Sequence, residues 1–342
     1  AVKIARQATD RYVIVSYENS FHGRGTYGYA LTTTGKYSPY KFRLEPMMPG
    51  VEFIPYPYCY RCPFKQEYPY CGLACLDYIR SWFIHTRVPP DRIAAFIMEM
   101  VQGEGGFVVP PTDYVRELRK FLDEHGILLI DDEVQTGWGR TGRMWAIEHF
   151  GVEPDIVVTA KAIANGLPLS AIIGRKEVME KTNPGSFGGT YGGNPVSSAV
   201  ALKVIEIILR DRLVERAEKL GRVIRNRLEE MYSKYEFIGD VRGLGVMQAI
   251  ELVKNRKTKE PATEETLKII KRAREKGLLL LRAGLFLNVI RLHPPLTIEE
   301  EILHKGLFRG QIDAGGEHPG ELMDGPLHPG HATGAGHALH GD

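Results

Sequence analysis

The chain has 342 residues, 43% hydrophobic and 25% charged, enough apolar material for a substantial core, which excludes disorder as its dominant state. Its 44 Lys and Arg against 42 Asp and Glu leave a formal charge of +2, too small and evenly spread for a protein built around nucleic acid or an anionic membrane; a small-molecule partner is expected instead. No apolar run reaches the roughly 18 residues of a membrane span, and the first residues, AVKIARQATDR, lack the apolar core of a secretory signal, so the expected location is cytoplasmic.

From the start to about residue 200, short apolar runs alternate with amphipathic stretches, the pattern of a largely parallel sheet covered by helices, and the fold class is α/β. The predicted strands are Val13–Tyr17, Ala95–Met98, Ile127–Asp132, Asp155–Thr159 and Ser170–Gly174. Thr112–His125 is apolar on one face and stops at Gly126, which predicts a helix. Between the first two strands lie Cys59, Cys62, Cys71 and Cys75, spaced C-x2-C-x8-C-x3-C in an aromatic, proline-bearing stretch. Four cysteines in so long a chain do not make a disulfide scaffold. Paired short spacers can converge on zinc, but the clean C-x2-C register is absent from one half, which favours reduced thiols or redox-dependent disulfides in a surface excursion.

From Asn194 to about Tyr235, Leu, Val and Ile recur at three- and four-residue intervals, predicting long helices that lead into a second domain. Residues 237–296 read as a hairpin, a helix over Glu264–Lys276 and further strands in LLLLRAG and LNVIRLHPPL, a smaller α+β domain. The expected division is 1–195, 196–305 and 306–342, the last a Gly/His/Pro-rich tail whose apolar periodicity has stopped and which is expected to be disordered.

Two strand ends carry the chemistry. ILLIDDEVQTGWGRTG runs from an apolar strand into Asp131, Asp132 and Glu133, and acids at the carboxyl ends of strands in an open α/β sheet face the ligand crevice. DIVVTA leads into Lys161, where small residues follow; a lysine so placed can supply a neutral amine for Schiff-base chemistry when burial and nearby cations disfavour its ammonium. A strand-end carboxylate beside a strand-end lysine suggests pyridoxal phosphate. The run from Gly23 through Gly25 to Gly28 formally matches G-x-G-x-x-G, but YALTTTGKYSPYK follows it, a poor helix, so a dinucleotide site is not supported.

Six segments, SFHGRG (20–25), MEMVQGEGG (98–106), LLIDDEVQTGWGRTG (128–142), DIVVTAKAIANGLPLSA (155–171), GTYGGNPVSSA (189–199) and NVIRLHPPL (288–296), resemble the class III pyridoxal-phosphate aminotransferases in order and spacing, over roughly residues 1–305. This group includes 4-aminobutyrate, ornithine and acetylornithine aminotransferases, and the cysteine-bearing excursion resembles a subgroup with racemase and epimerase relatives. The resemblance implies the fold type I of pyridoxal-phosphate enzymes, a homodimer with a shared active site, and a reaction between an amino donor and a 2-oxo acid such as 2-oxoglutarate. It makes Lys161 the residue that condenses with the cofactor aldehyde and carries the proton, and Asp132 the partner of the pyridinium nitrogen. It places Phe21 and His22 at the cofactor, Gln135 on its phenolic oxygen, Glu99 in support, and Thr190 on the phosphate of the other subunit. It gives Arg291 the substrate α-carboxylate, makes Glu104 the gate that pairs with Arg291 when an ω-amine enters, and makes Arg24 the candidate for a second carboxylate. No metal ligand set is assigned.

The sequence departs from that pattern at its ends. AVKIARQATDR resembles the middle of a family helix, so the segment that lines the substrate pocket and the loop that holds the cofactor phosphate are expected to be absent, and the closing helix is expected to give way to the Gly/His/Pro tail after LTIEEEILHKGL. Met100 stands where the motif has proline. The alternatives to transamination are therefore a non-catalytic remnant of the fold and a racemase or epimerase on the same scaffold.

Overall fold

The computed structural model describes residues 1–25, 30–31 and 40–309, the side chains of 308 and 309 excepted; the tail and residues 26–28 of the 23–28 glycine run lie outside the described residues. After helix α1 (Val2–Thr9), strands β1 (Val13–Tyr17), β2 (Val51–Ile54), β3 (Ile93–Met98), β4 (Leu128–Asp132), β5 (Ile156–Thr159) and β6 (Ala171–Gly174) form one sheet in the order β2-β1-β3-β4-β5-β6. All neighbours are parallel except β6, which runs antiparallel to β5. All six residues of β3 are buried, as a central parallel strand covered on both faces requires.

Helix α2 (Thr112–Glu124) buries Tyr114, Val115, Leu118, Phe121 and Leu122, the apolar face that the sequence periodicity predicts. Its Arg119 donates to Asp155 Oδ2 at 2.7 Å, and the same oxygen accepts from Leu129 N at 2.7 Å, so one buried carboxylate ties the helix to the start of β4. The predicted strands agree with the observed ones to within one or two residues. Strand β2 was not expected: it is short, contains Glu52 and exists through its pairing with β1.

Two long helices follow, α3 (Pro195–Arg210) and α4 (Leu213–Lys234); Asn194 caps the first by accepting from Ser197 N at 3.0 Å, with Pro195 in the first turn. Strands β7 (Ile238–Leu244), β8 (Met247–Asn255), β9 (Glu260–Pro261), β10 (Leu281–Ala283) and β11 (Val289–Leu292) build a second, antiparallel sheet in the order β10-β11-β8-β7, with β9 beside β8. Ala217, Leu220, Ile224 and Leu228 of α4 pack on it together with Leu303 and Leu307. Helix α5 (Thr263–Glu275) precedes β10, and helix α6 (Glu300–Arg309) continues through Gly306, past the point where the sequence pattern fades. The sheets meet at the loop after β3, where Arg242 Nε donates to Gly106 O at 2.8 Å and Arg291 Nη1 donates to Gly103 O at 3.0 Å.

Candidate active site

The parallel register places the chemistry-bearing residues at one edge. Met98 pairs with Asp131 and Asp132 with Val158, so Glu99, Asp132 and Lys161 follow or end three adjacent strands on their carboxyl side, with Phe21 and His22 beyond β1. Asp132 is buried; its Oδ2 lies 2.7 Å from His22 Nδ1 and its Oδ1 accepts from Val134 N at 3.1 Å. Both oxygens are thereby fixed. Burial opposes a charge on His22, but the bond to Asp132 and the nearby Glu99 outweigh it and raise the imidazole above its ordinary value. Glu99 accepts from Phe21 N at 2.9 Å and Gly103 N at 3.1 Å. Burial pushes its carboxyl up to about 7 against the opposing pull of His22, and the charge of Asp132 adds to the rise.

The three consecutive acids separate. Strand alternation turns Asp131 and Glu133 away from Asp132. Burial, then Glu133, pushes Asp131 well above the carboxylate range, and Glu133 accepts from Thr136 Oγ1 and from Ile147 N at 3.0 Å. These two are internal structural groups; only Asp132 faces the cleft edge.

Lys161 opens the short 3₁₀ turn Lys161–Ile163 with φ +50°, a left-handed conformation that an L residue adopts at a cost, and its side chain is exposed. Below it, Thr159 accepts from Trp138 Nε1 at 2.7 Å, which ties the Gly-rich loop after β4 to the end of β5. Gln135, on that loop, sits against Gly103: a Cβ added there would lie 1.8 Å from Gln135 Oε1. Thr190 is exposed in a loop where a Cβ added at Gly188, Gly189 or Gly193 would meet nothing within 4 Å, so it does not converge with the other residues inside one chain.

Arg291 lies 8% exposed on β11 and pairs with Glu104 at 3.2 Å. Its Nη1 also reaches Gly103 O, its guanidinium lies 5.4 Å from the Phe107 ring centre, and its Nε is buried with no hydrogen-bond partner among the described residues. A buried guanidinium N–H left over beside the Glu104 pair leaves donor capacity on Arg291 that an anion could use. Tyr40 Oη donates to Glu104 Oε2 at 3.4 Å, and Arg24, exposed, stacks on Tyr40 at 5.0 Å and Phe21 at 5.9 Å.

His293 escapes the sequence reading. It stands edge-on to Phe107 at 5.7 Å, open to solvent on one side, and burial of the rest, then the cations of Arg140, Arg291 and Lys161, lowers it to about 3, a neutral imidazole in the cleft. Its place two residues beyond Arg291, on the same strand face, was the available signal.

These residues fit pyridoxal phosphate: a doubly anchored carboxylate for a protonated ring nitrogen, an exposed amine one strand away, and an aromatic ring at the end of β1. The sequence model of the family described as Aminotransferase class-III matches residues 1–309. A leucine/methionine racemase of Thermococcus litoralis is 48% identical over 310 residues, covering 90% of this chain and 68% of the racemase. A probable 4-aminobutyrate aminotransferase of Bacillus subtilis is 43% identical over 307 residues, 90% of this chain and 70% of the relative. Among solved structures, a Bacillus anthracis aminotransferase superposes with a TM-score of 0.83 at 32% identity, covering 90% of this chain and 72% of that one. An amine transaminase from an uncultivated Pseudomonas species, solved in its PLP-bound internal aldimine form, gives 0.82 at 32% identity, with 90% and 71% covered.

Proposed function

The chain belongs to the class III aminotransferases, which use pyridoxal phosphate, and from that premise we propose that it moves an amino group from an ω-amino acid of the 4-aminobutyrate kind to a 2-oxo acid such as 2-oxoglutarate. The observation that carries this reading is the Arg291–Glu104 pair. A donor whose carboxylate lies far from its amine leaves the α-carboxylate position empty, and Glu104 then neutralises Arg291. When glutamate enters, its α-carboxylate takes the fork, using the free Nε, and Glu104 withdraws. The B. subtilis relative is named for 4-aminobutyrate, which supports the same donor class.

When bound, pyridoxal phosphate supplies the electron sink for the carbon that carries the amine. Asp132, held by His22 and Val134 N, keeps a proton on the ring nitrogen, and Lys161 Nζ takes a proton from the substrate carbon and returns it. Phe21 would cover the ring, Gln135 would bond its phenolic oxygen, and Arg24 would take a distal carboxylate. Thr190, projecting from its own chain, serves the phosphate of a partner subunit in a homodimer.

Racemisation is the second reading, favoured by the 48% identity to the leucine/methionine racemase. Borohydride trapping followed by peptide mapping tests the site, with Lys161 expected to carry the label; a label on any other lysine refutes it. Consumption of 4-aminobutyrate only in the presence of a 2-oxo acid supports transamination. Loss of optical rotation from one enantiomer of leucine without any oxo acid transfers the assignment to the racemase reading.

A further inference from the structure

The stretch between β2 and β3 takes no part in the chemistry above, yet it holds all 4 cysteines of the chain. Cys59 begins a 3₁₀ turn, Cys59–Arg61, with Cys62 next; Cys71 and Cys75 flank the start of a short helix, Ala74–Asp77. The two turns face each other, and all four cysteines line one cavity of about 20 Å³ closed by Pro57, Tyr58, Pro63 and Tyr68. That is room for about one water. All four are free thiols, Cys59 exposed and the others half-buried, so a small reagent can reach them.

The thiols sense one another across the cavity. Burial, then Cys71 and Cys62, pushes Cys59 up to about 11, and burial, then Cys59, pushes Cys75 up to about 12. Among the described residues, no group of three or more His, Cys, Asp or Glu is arranged to hold a metal ion. The chemistry that the geometry offers the cluster is thiol–disulfide exchange.

Its position gives that chemistry a consequence. Tyr58 and Arg61, on either side of Cys59 in the turn, both hold Glu251 of β8. Glu251 also accepts from Arg242 at 2.8 Å, and Arg242 grips Gly106 O in the loop that carries Gly103, Glu104 and Phe107. The cysteine stretch is thus a strap fastening the second sheet to the loop beneath Arg291.

We propose that this cluster is a thiol–disulfide redox site in which a bond between Cys59 and Cys71 joins the two turns and locks the strap. The oxidant is a low-molecular-weight disulfide such as oxidised glutathione. One cysteine thiolate attacks it and expels a thiolate of the reagent; the second cysteine displaces the other half. Two protein S–H bonds and one reagent S–S bond become one protein S–S bond and two reagent thiols, which take the two protons. Attack by the thiolate makes the first step faster as pH rises toward the raised value of Cys59.

The test equilibrates the full chain with oxidised glutathione, alkylates the remaining thiols and maps the peptides without reduction. The expected result is loss of two of the four thiols, a mass fall of about 2 Da, and a link between the peptides bearing Cys59 and Cys71. The unfolding midpoint should rise by about 3 °C or more, reversed by dithiothreitol. Cys59→Ser and Cys71→Ser should each abolish the link and the rise, while Cys62→Ser keeps both. Four thiols still alkylated, glutathione adducts alone, a link within one turn, or stoichiometric zinc shielding the thiols overturns the proposal. An oxidised chain with an unchanged midpoint overturns the locking role.

Discussion

Glu104→Gln isolates the gate, because the amide keeps the shape of the carboxylate and its contact with Tyr40 while removing its charge. At the observed 3.2 Å, two unit charges near a protein surface attract by about 5 kcal/mol. Desolvation and the 23% exposure of the Glu104 side chain reduce this, leaving about 1–2 kcal/mol, a 5- to 30-fold effect. For an ω-amino donor the variant leaves Arg291 unpaired in the complex, so kcat/KM of that half-reaction should fall by about 10-fold. For glutamate, Arg291 no longer has to be released from Glu104, so the second half-reaction should hold steady or gain by up to the same factor. Single-turnover absorbance of the bound cofactor measures each half-reaction separately. A parallel fall in both, or no change for the ω-amino donor, would refute the gate and with it the main support for the proposed donor class.

Three further substitutions probe the site and its frame. Glu99 titrates above its ordinary value because it is buried; its protonated form therefore contributes stability that is complete below its unfolded value and is lost as the pH rises through about 7. Glu99→Gln should remove about 2–3 kcal/mol of that decline between about pH 5 and pH 8, measured by urea unfolding of the cofactor-free protein at a series of pH values; an opposite slope would sink the assignment. Gly221→Ala in α4 would place a Cβ 2.2 Å from Gly245 O, a backbone atom in the β7–β8 turn. It should destabilise the protein by about 2 kcal/mol despite the better helix propensity, and a raised denaturation midpoint would contradict that packing. Gly103→Ala meets first the flexible end of Gln135 and then an oxygen of Glu99 at 3.4 Å, so stability should change by less than about 1.5 kcal/mol while cofactor affinity falls by about 10-fold as Gln135 is displaced; a cofactor titration with unchanged affinity would remove Gln135 from the site.

What the sequence discloses about the fold follows from how local each signal is. β3 and β4 are legible because strands buried on both faces read as apolar runs, IAAFIM in β3 and LLI before the two aspartates in β4, whatever they pair with. Strand β2 is VEFI, four residues with three half-buried at the sheet edge, and only β1 makes it a strand. Helix α6 was not among the predicted elements, although its first turn carries Glu300 and Glu301; its run through Gly306 accompanies Leu303 and Leu307 packing with α4, a contact no local pattern states.

The same distinction runs through the site. Asp132 and Lys161 could be found from sequence because each ends or follows an apolar strand, and parallel pairing of neighbours then brings strand ends together without further information. His22 on Asp132 spans 110 positions, and it arises only because β1, β3 and β4 run parallel as successive strands of the sheet and end at the same edge. Gly103 is less visible still. Its N–H holds Glu99, its carbonyl holds Arg291, and its missing Cβ admits Gln135. A glycine in QGEGG announces a turn but not which three side chains converge on it. The residue that joins the two halves of the site does so entirely through its backbone, so a reading keyed to chemical side chains passes over it while finding nearly every group it positions.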